Sequence, residues 1–299
     1  SIWIGNNAGK KCTTGERQIA IGYECLGANG SSATTGDHNT AVGFLALTYL
    51  VDGEYNVAIG ENALQDVTSG NYNIGIGYDA GEDITTGENN ISIGMVAGEN
   101  ITTGNSNISI GYQAGSDSGT SSRSNNTCVG IKAGKGAQGN GNTAIGYEAG
   151  NNMGTGSLNT CIGYNAQPSS STVDDEITLG RSGVTALRCA QTSITSLSDR
   201  RDKTDITTLD LGLDFVNSLK PVKFKWDTRE GIPLKDGKYE ANFIAQDFQQ
   251  IQKDYNAEYL NLVLESNPDK LEAAPGKLIP ILVKAIQELK QEIDLLKTK

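Results

Sequence analysis

The chain has 299 residues, 37 of them glycine, with 5 phenylalanines, 2 tryptophans and a formal charge of −11. So much glycine with so few aromatics excludes an ordinary globular core over most of the length. The acidic balance argues against nucleic acid or an anionic membrane as partner, since both select for Lys and Arg patches, and no apolar stretch approaches the ~20 residues of a membrane-spanning helix.

The first residue, Ser1, falls inside a repeat and no charged-then-apolar leader follows, so the chain reads as a piece of a longer polypeptide. An Ile-Gly or Val-Gly pair recurs with its glycine at Gly5, Gly22, Gly43, Gly60, Gly77, Gly94, Gly111, Gly130, Gly146 and Gly163, most often 17 residues apart. Asparagine stands four residues before it at 39, 56, 73, 90, 107, 126, 142 and 159, and Ala or Cys usually three after. A polar connector such as Glu99-Asn100-Ile101-Thr102-Thr103 joins the units and is too short for a packed helix. Short alternating pieces suit strands with small residues on one face, and the glycines allow tight corners. One such unit buries nothing alone, but stacked units bury a continuous core. The expected fold of residues 1–167 is therefore a parallel β-solenoid or β-roll, with the asparagines in register forming hydrogen-bonded ladders. The Asn-x-Ala-Ile-Gly pattern resembles the head repeats of trimeric bacterial adhesins of the YadA type, which implies a trimeric fibre.

Several motifs dissolve inside the repeat. Gly75-Ile76-Gly77-Tyr78-Asp79-Ala80-Gly81 lacks the spacing and crossover helix of a dinucleotide loop. Asn90-Ile91-Ser92 and Asn107-Ile108-Ser109 match glycosylation acceptors only because of their phase in the repeat. His38 is the one histidine and lies in a connector, which disfavours a Ser-His-Asp hydrolase. Asp52, Glu54, Glu82 and Asp83 read as a solvated edge rather than as paired glycosidase carboxylates. There are 5 cysteines and no CxxC pair, so no metal site, and no cofactor, is expected. Cys128 and Cys161 fall where other repeats carry Ala41, Ala58 and Ala144, and Cys25 where they carry Ala80 and Ala114, so these three read as small buried residues. Cys12 and Cys189 have no such account.

The repeat fades after Ala166. Residues 168–197 read as a linker and β stem, with short strands at Ile177-Thr178-Leu179-Gly180 and Val184-Thr185-Ala186-Leu187. From Ser198 the glycines thin out, Lys and Arg rise, and helical periodicity appears. Ser198-Asp199-Arg200-Arg201-Asp202-Lys203-Thr204-Asp205-Ile206 resembles the opening signature of the S74 peptidase family, the intramolecular chaperones of phage tail spikes and fibres. Leu219-Lys220-Pro221-Val222-Lys223-Phe224-Lys225-Trp226, Phe243-Ile244-Ala245-Gln246-Asp247 and Leu278-Ile279-Pro280-Ile281-Leu282-Val283-Lys284-Ala285-Ile286 follow in the family's order. The resemblance spans 198–299 and implies an α+β chaperone domain. Asn242 departs from it where Gly is usual, and Tyr255-Asn256-Ala257 lacks the usual Pro.

The resemblance assigns a Ser-Lys dyad to Ser198 and Lys203, cutting the Leu197–Ser198 bond, with Asp199 and Asp202 as candidates to orient it. A serine hydroxyl needs a base, and a lysine serves only when neutral. Free lysine has a pKa near ~10.4, so burial on assembly must lower it. Attack by Ser198 on the neighbouring carbonyl is intramolecular, where proximity can be worth ~7–11 kcal/mol. On spacing alone, Ser198 reads better as a helix N-cap, with Asp199, than as a nucleophile; the four ordered family blocks reverse that.

At the C-terminus, about 278–299, Ile279, Leu282, Ile286, Leu289, Ile293 and Leu296 follow a 3-4-3-4-3 spacing, a coiled-coil seam. Ile at a with Leu at d leans towards a dimer, whereas the family implies a homotrimer. The expected function is the distal part of a phage tail fibre or spike in the virion, facing a host-surface receptor such as a glycan and matured by autoproteolysis. A cell-surface adhesin or self-cleaving cellular protein with the same chaperone, and a polysaccharide-degrading spike, are the alternatives.

Overall fold

The computed structural model describes residues 1–27, 29, 32–117, 119, 121–184, 186–188, 198–226 and 239–298. They form two compact units, Ser1–Ser182 and Gly183–Lys299.

The first unit is the expected parallel solenoid. Its strands are β1 (Ile2–Ile4), β2 (Ile19–Ile21), β3 (Thr40–Val42), β4 (Val57–Ile59), β5 (Ile74–Ile76), β6 (Ile91–Ile93), β7 (Ile108–Ile110), β8 (Thr127–Val129), β9 (Thr143–Ile145), β10 (Thr160–Ile162) and β11 (Ile177–Leu179). They make one parallel sheet in sequence order, each pairing with the next coil in strict register. The strand expected in the stem at Ile177 is thus the eleventh rung of this sheet: Thr160 pairs with Ile177, and the Glu176 amide donates to Asn159 Oδ1 at 3.0 Å. Glu176 holds the asparagine position there, which hides the coil from a search on Asn and Gly. Val184, Ala186 and Leu187 lie in no strand.

The middle residue of each inner strand points inward and is small: Ala20, Ala41, Ala58, Gly75, Ser92, Ser109, Cys128, Ala144 and Cys161. Leu47, Leu64, Val67, Ile84 and Ile101 fill the rest of the interior of the first coils, Met153 and a run of alanines that of the last. Cys25, Cys128 and Cys161 are buried as expected, and burial pushes the thiols of Cys128 and Cys161 up to about 11. Cys12 is half-buried against the same core; Cys189 lies outside the described residues.

Inside the coils runs the expected asparagine ladder. Asn90 Nδ2 donates to Asn73 Oδ1 (3.1 Å) and to the Gly104 carbonyl (2.8 Å), and its own Oδ1 accepts from the backbone and side-chain nitrogens of Asn107, both at 3.0 Å. The same pattern links Asn39, Asn56 and Asn73. Fully paired amides lose little by burial, so the ladder aligns the coils without an unpaired polar group. Each coil turns through left-handed residues, as at Tyr72 (φ 58°) and Asp79 (φ 53°), and leaves its strand through a glycine. Gly94 shows why: at φ +124° a Cβ would stand 2.8 Å from the Gly111 carbonyl of the next coil.

The second unit is a small α+β assembly. Its elements are a 3-10 turn (Arg200–Asp202), α1 (Leu213–Ser218), the hairpin β12 (Val222–Lys225) and β13 (Tyr239–Asn242), α2 (Ala245–Asp254), the pair β14 (Val263–Leu264) and β15 (Glu272–Ala273), and α3 (Ile279–Lys297). Its core gathers Phe215, Phe248, Ile251, Leu262, Leu278 and Ile281.

Candidate functional site

Ser198 and Lys203 meet across the 3-10 turn. Lys203 Nζ lies 2.5 Å from Ser198 Oγ and 3.4 Å from the Ser198 carbonyl oxygen. Five residues of extended chain would hold the two apart; the turn closes because Asp199 caps it. Its Oδ1 accepts from the Arg201 amide at 2.9 Å, and the Arg201 guanidinium grips both carboxylate oxygens at 2.6–3.2 Å. The guanidinium holds the Asp199 carboxyl below its usual range. Asp199, and not Ser198, is therefore the N-cap, which leaves the serine hydroxyl for the lysine. Asp202 sits inside the turn and is exposed. Leu197, across the expected scissile bond, lies outside the described residues.

In the single chain Ser198, Asp199, Asp202 and Lys203 are all exposed. The geometry thus supplies proximity of the lysine nitrogen to the serine hydroxyl in an exposed turn.

Helix α3 presents two faces. Ile281 and Ala285 are buried, whereas Ile279, Leu282, Ile286, Leu289, Ile293 and Leu296 are all exposed, from 41% at Leu282 to 70% at Leu296. The six residues of the expected seam therefore form a continuous apolar stripe that nothing in the described chain covers. Glu288 fixes the rotation of this helix. Its Oε2 accepts from the Leu213 amide at the start of α1 (2.7 Å), and its Oε1 lies 3.2 Å from Lys284 Nζ. These donors hold the Glu288 carboxyl below its usual range. Sequence spacing missed this contact because its partners lie 75 residues apart.

Of the acids singled out in the repeat, Glu82 and Asp83 lie among Asp66, Asp79 and Glu99 of the stacked coils. Burial first, then Asp79, Asp83, Asp66 and Glu99, pushes Glu82 up to about 7. Among the described residues no His, Cys, Asp and Glu group could hold a metal ion, and no helix is long and apolar enough to cross a membrane.

Residues 198–256 match the peptidase S74 family model, described as the chaperone of endosialidase. The match takes in the turn that carries Ser198 and Lys203 and the blocks at 219–226 and 243–247, and ends before the block at 278–286. No curated protein and no solved structure matches the chain. A parallel β-solenoid followed by a segment of this kind fits a tail-spike-like fibre with an intramolecular chaperone, and the family implies self-cleavage.

Proposed function

We propose that this chain is the distal part of a phage tail fibre or spike whose C-terminal chaperone assembles three copies and then releases itself by cutting Leu197–Ser198. The observation that carries this reading is the 2.5 Å approach of Lys203 Nζ to Ser198 Oγ, in a capped turn that opens the family match.

Assembly comes first. Three α3 helices bury the Ile279–Leu296 stripe, and docking of the copies covers the Ser198 turn. Desolvation then favours neutral Lys203. Its amine takes the Ser198 Oγ proton, and the alkoxide attacks the Leu197 carbonyl carbon. The C–N bond breaks as the Ser198 nitrogen takes a proton, leaving Leu197 joined to Ser198 through an ester. Water hydrolyses the ester to a Leu197 carboxylate and a free Ser198 hydroxyl. Each chain is cut once, and no cofactor or metal takes part. Asp199 positions the turn through its cap and its grip on Arg201. The fibre goes into the virion, facing a host-surface receptor of glycan type.

Denaturing electrophoresis of freshly made wild type, Ser198→Ala, Lys203→Arg and Asp199→Asn tests the roles. Ser198→Ala and Lys203→Arg remain whole, because neither an alanine methyl nor a guanidinium can do the chemistry. Asp199→Asn keeps the cap but loses the charged clamp, and cuts more slowly. Normal splitting of Lys203→Arg would remove the lysine from the mechanism.

A further inference from the structure

We propose that a notch in the side of the solenoid, between the coils that begin at Gly111 and Gly130, binds one neutral saccharide unit of a host-surface glycan. This deepens the receptor reading above, on which it rests, by placing the contact on named residues.

The notch follows from a break in the repeat. The ladder asparagines step by 17 residues at Asn73 and Asn90, but by 19 from Asn107 to Asn126 and by only 16 from Asn126 to Asn142. A coil two residues long thus lies against one that is a residue short. Asn100 Nδ2 still bonds the Asp117 carbonyl at the regular 17-residue spacing, whereas Thr102 Oγ1 bonds the Ser121 carbonyl 19 residues on. The surplus therefore falls between Asp117 and Ser121. Where the short coil does not fill the space beside the long one, a cavity of about 310 Å³ opens. It is lined by Asp117, Ser121, Ser122 and Arg123 of the long coil and by Gln138 and Asn140 of the short one.

The lining is polar and carries no net charge. Asp117 and Arg123 form the floor, both buried and 3.6 Å apart, and Arg123 also donates to the Ala137 and Gly115 carbonyls. An ionic ligand would find one of the two charges opposed to it and give up its own hydration without gain. The rim is made of hydroxyls and carboxamides. Ser122 and Gln138 are exposed, and Asn140 Oδ1 accepts from the Ser124 amide at 2.7 Å, which leaves Nδ2 to donate. Hydroxyls and carboxamides both donate and accept, as the hydroxyls of a sugar do, so several bonds form at once without a charge. The volume lies at the small end of ligand sites, ~300–1,000 Å³, the scale of a sugar unit rather than of a protein segment. Connectors on a rigid scaffold are where binding residues gather, and stacked coils hold this one from both sides.

Saturation-transfer difference NMR titration of the full-length chain tests the notch. The methyl glycosides of glucose, galactose, rhamnose and N-acetylglucosamine are the neutral probes, and sialyllactose is the anionic one. A double variant, Ser122→Ala with Gln138→Ala, removes two exposed rim groups, and Thr103→Ala is an exposed control in a regular connector. At least one neutral glycoside is expected to bind, with a Kd that rises roughly tenfold or more in the double variant, the loss of one or two hydrogen bonds, and is unchanged in Thr103→Ala. Binding of no neutral glycoside, equal binding by the double variant, or tighter binding of sialyllactose overturns the notch as a neutral-sugar site. Electrophoresis of the same samples keeps the two readings apart. Cleavage at Leu197–Ser198 without sugar binding overturns the notch alone, and sugar binding by a wild-type chain that never cleaves overturns the self-processing reading alone.

Discussion

At Asn90 one side chain serves three coils: it donates to Asn73 and Gly104 and accepts twice from Asn107. Asn90→Ala strands these buried partners, at ~1–3 kcal/mol each, and should lower the thermal midpoint of the solenoid without changing its far-ultraviolet circular dichroism at low temperature. This ladder was legible in the sequence because identical residues in identical phase can only stack on themselves. Arg123 was not legible. It stands where Gly104 and Gly139 stand in neighbouring coils, yet it is 3% exposed, lies 3.6 Å from Asp117 and donates to the Ala137 and Gly115 carbonyls. Removing one partner of a buried pair costs about 3–5 kcal/mol, so Arg123→Ala is expected to destabilise the solenoid more than any exposed substitution, read as a lower denaturation midpoint. Glu82 answers to pH. Its folded pKa of about 7 lies above its ordinary 4.5, so the folded state binds the extra proton between those values. Stability therefore grows as pH falls from 7 towards 4.5 and is lost as pH rises through 7. Glu82→Gln should raise the thermal midpoint at pH 8 and leave it nearly unchanged at pH 5; an unchanged midpoint at pH 8 would remove the crowding of carboxylates as a cost.

Among the elements, α3 separates folding from assembly. Its buried face, Ile281 and Ala285, belongs to the domain core, while the residues of its apolar stripe are exposed in the single chain. Leu282→Lys with Ile286→Glu should therefore leave the helix folded, abolish the oligomer in analytical ultracentrifugation, and with it abolish cleavage. The spacing revealed the apolar stripe, since a 3-4 rhythm is local. It could not reveal Glu288 capping α1, a contact set by the tertiary fold. For the strands the sequence showed alternation, and the cysteines standing where other repeats carry alanine pointed to the small side as the buried one. The inward side takes alanine, serine and cysteine because consecutive coils leave little room inside, and the isoleucines are turned outward. The coordinates add how exposed the outward isoleucines are, as at Ile59 and Ile162.

For the whole molecule, near-equivalent coils create a register problem for any fibre built from copies of this chain, since the proposed three chains could pair one coil out of step at little loss. On the proposed reading, a chaperone that joins the C-termini first fixes the register, and cutting it away leaves a fibre that is kinetically trapped. Denatured Ser198→Ala should regain its oligomer on removal of denaturant, whereas the cleaved fibre should not.

Intact-mass spectrometry of the full chain refolded over a dilution series, with Ser198→Ala alongside, tests self-cleavage on assembly most directly. The account predicts two fragments meeting at Leu197–Ser198 in wild type alone, formed faster at higher chain concentration. Cleavage at another bond, in Ser198→Ala as well, or at a rate independent of concentration would contradict it.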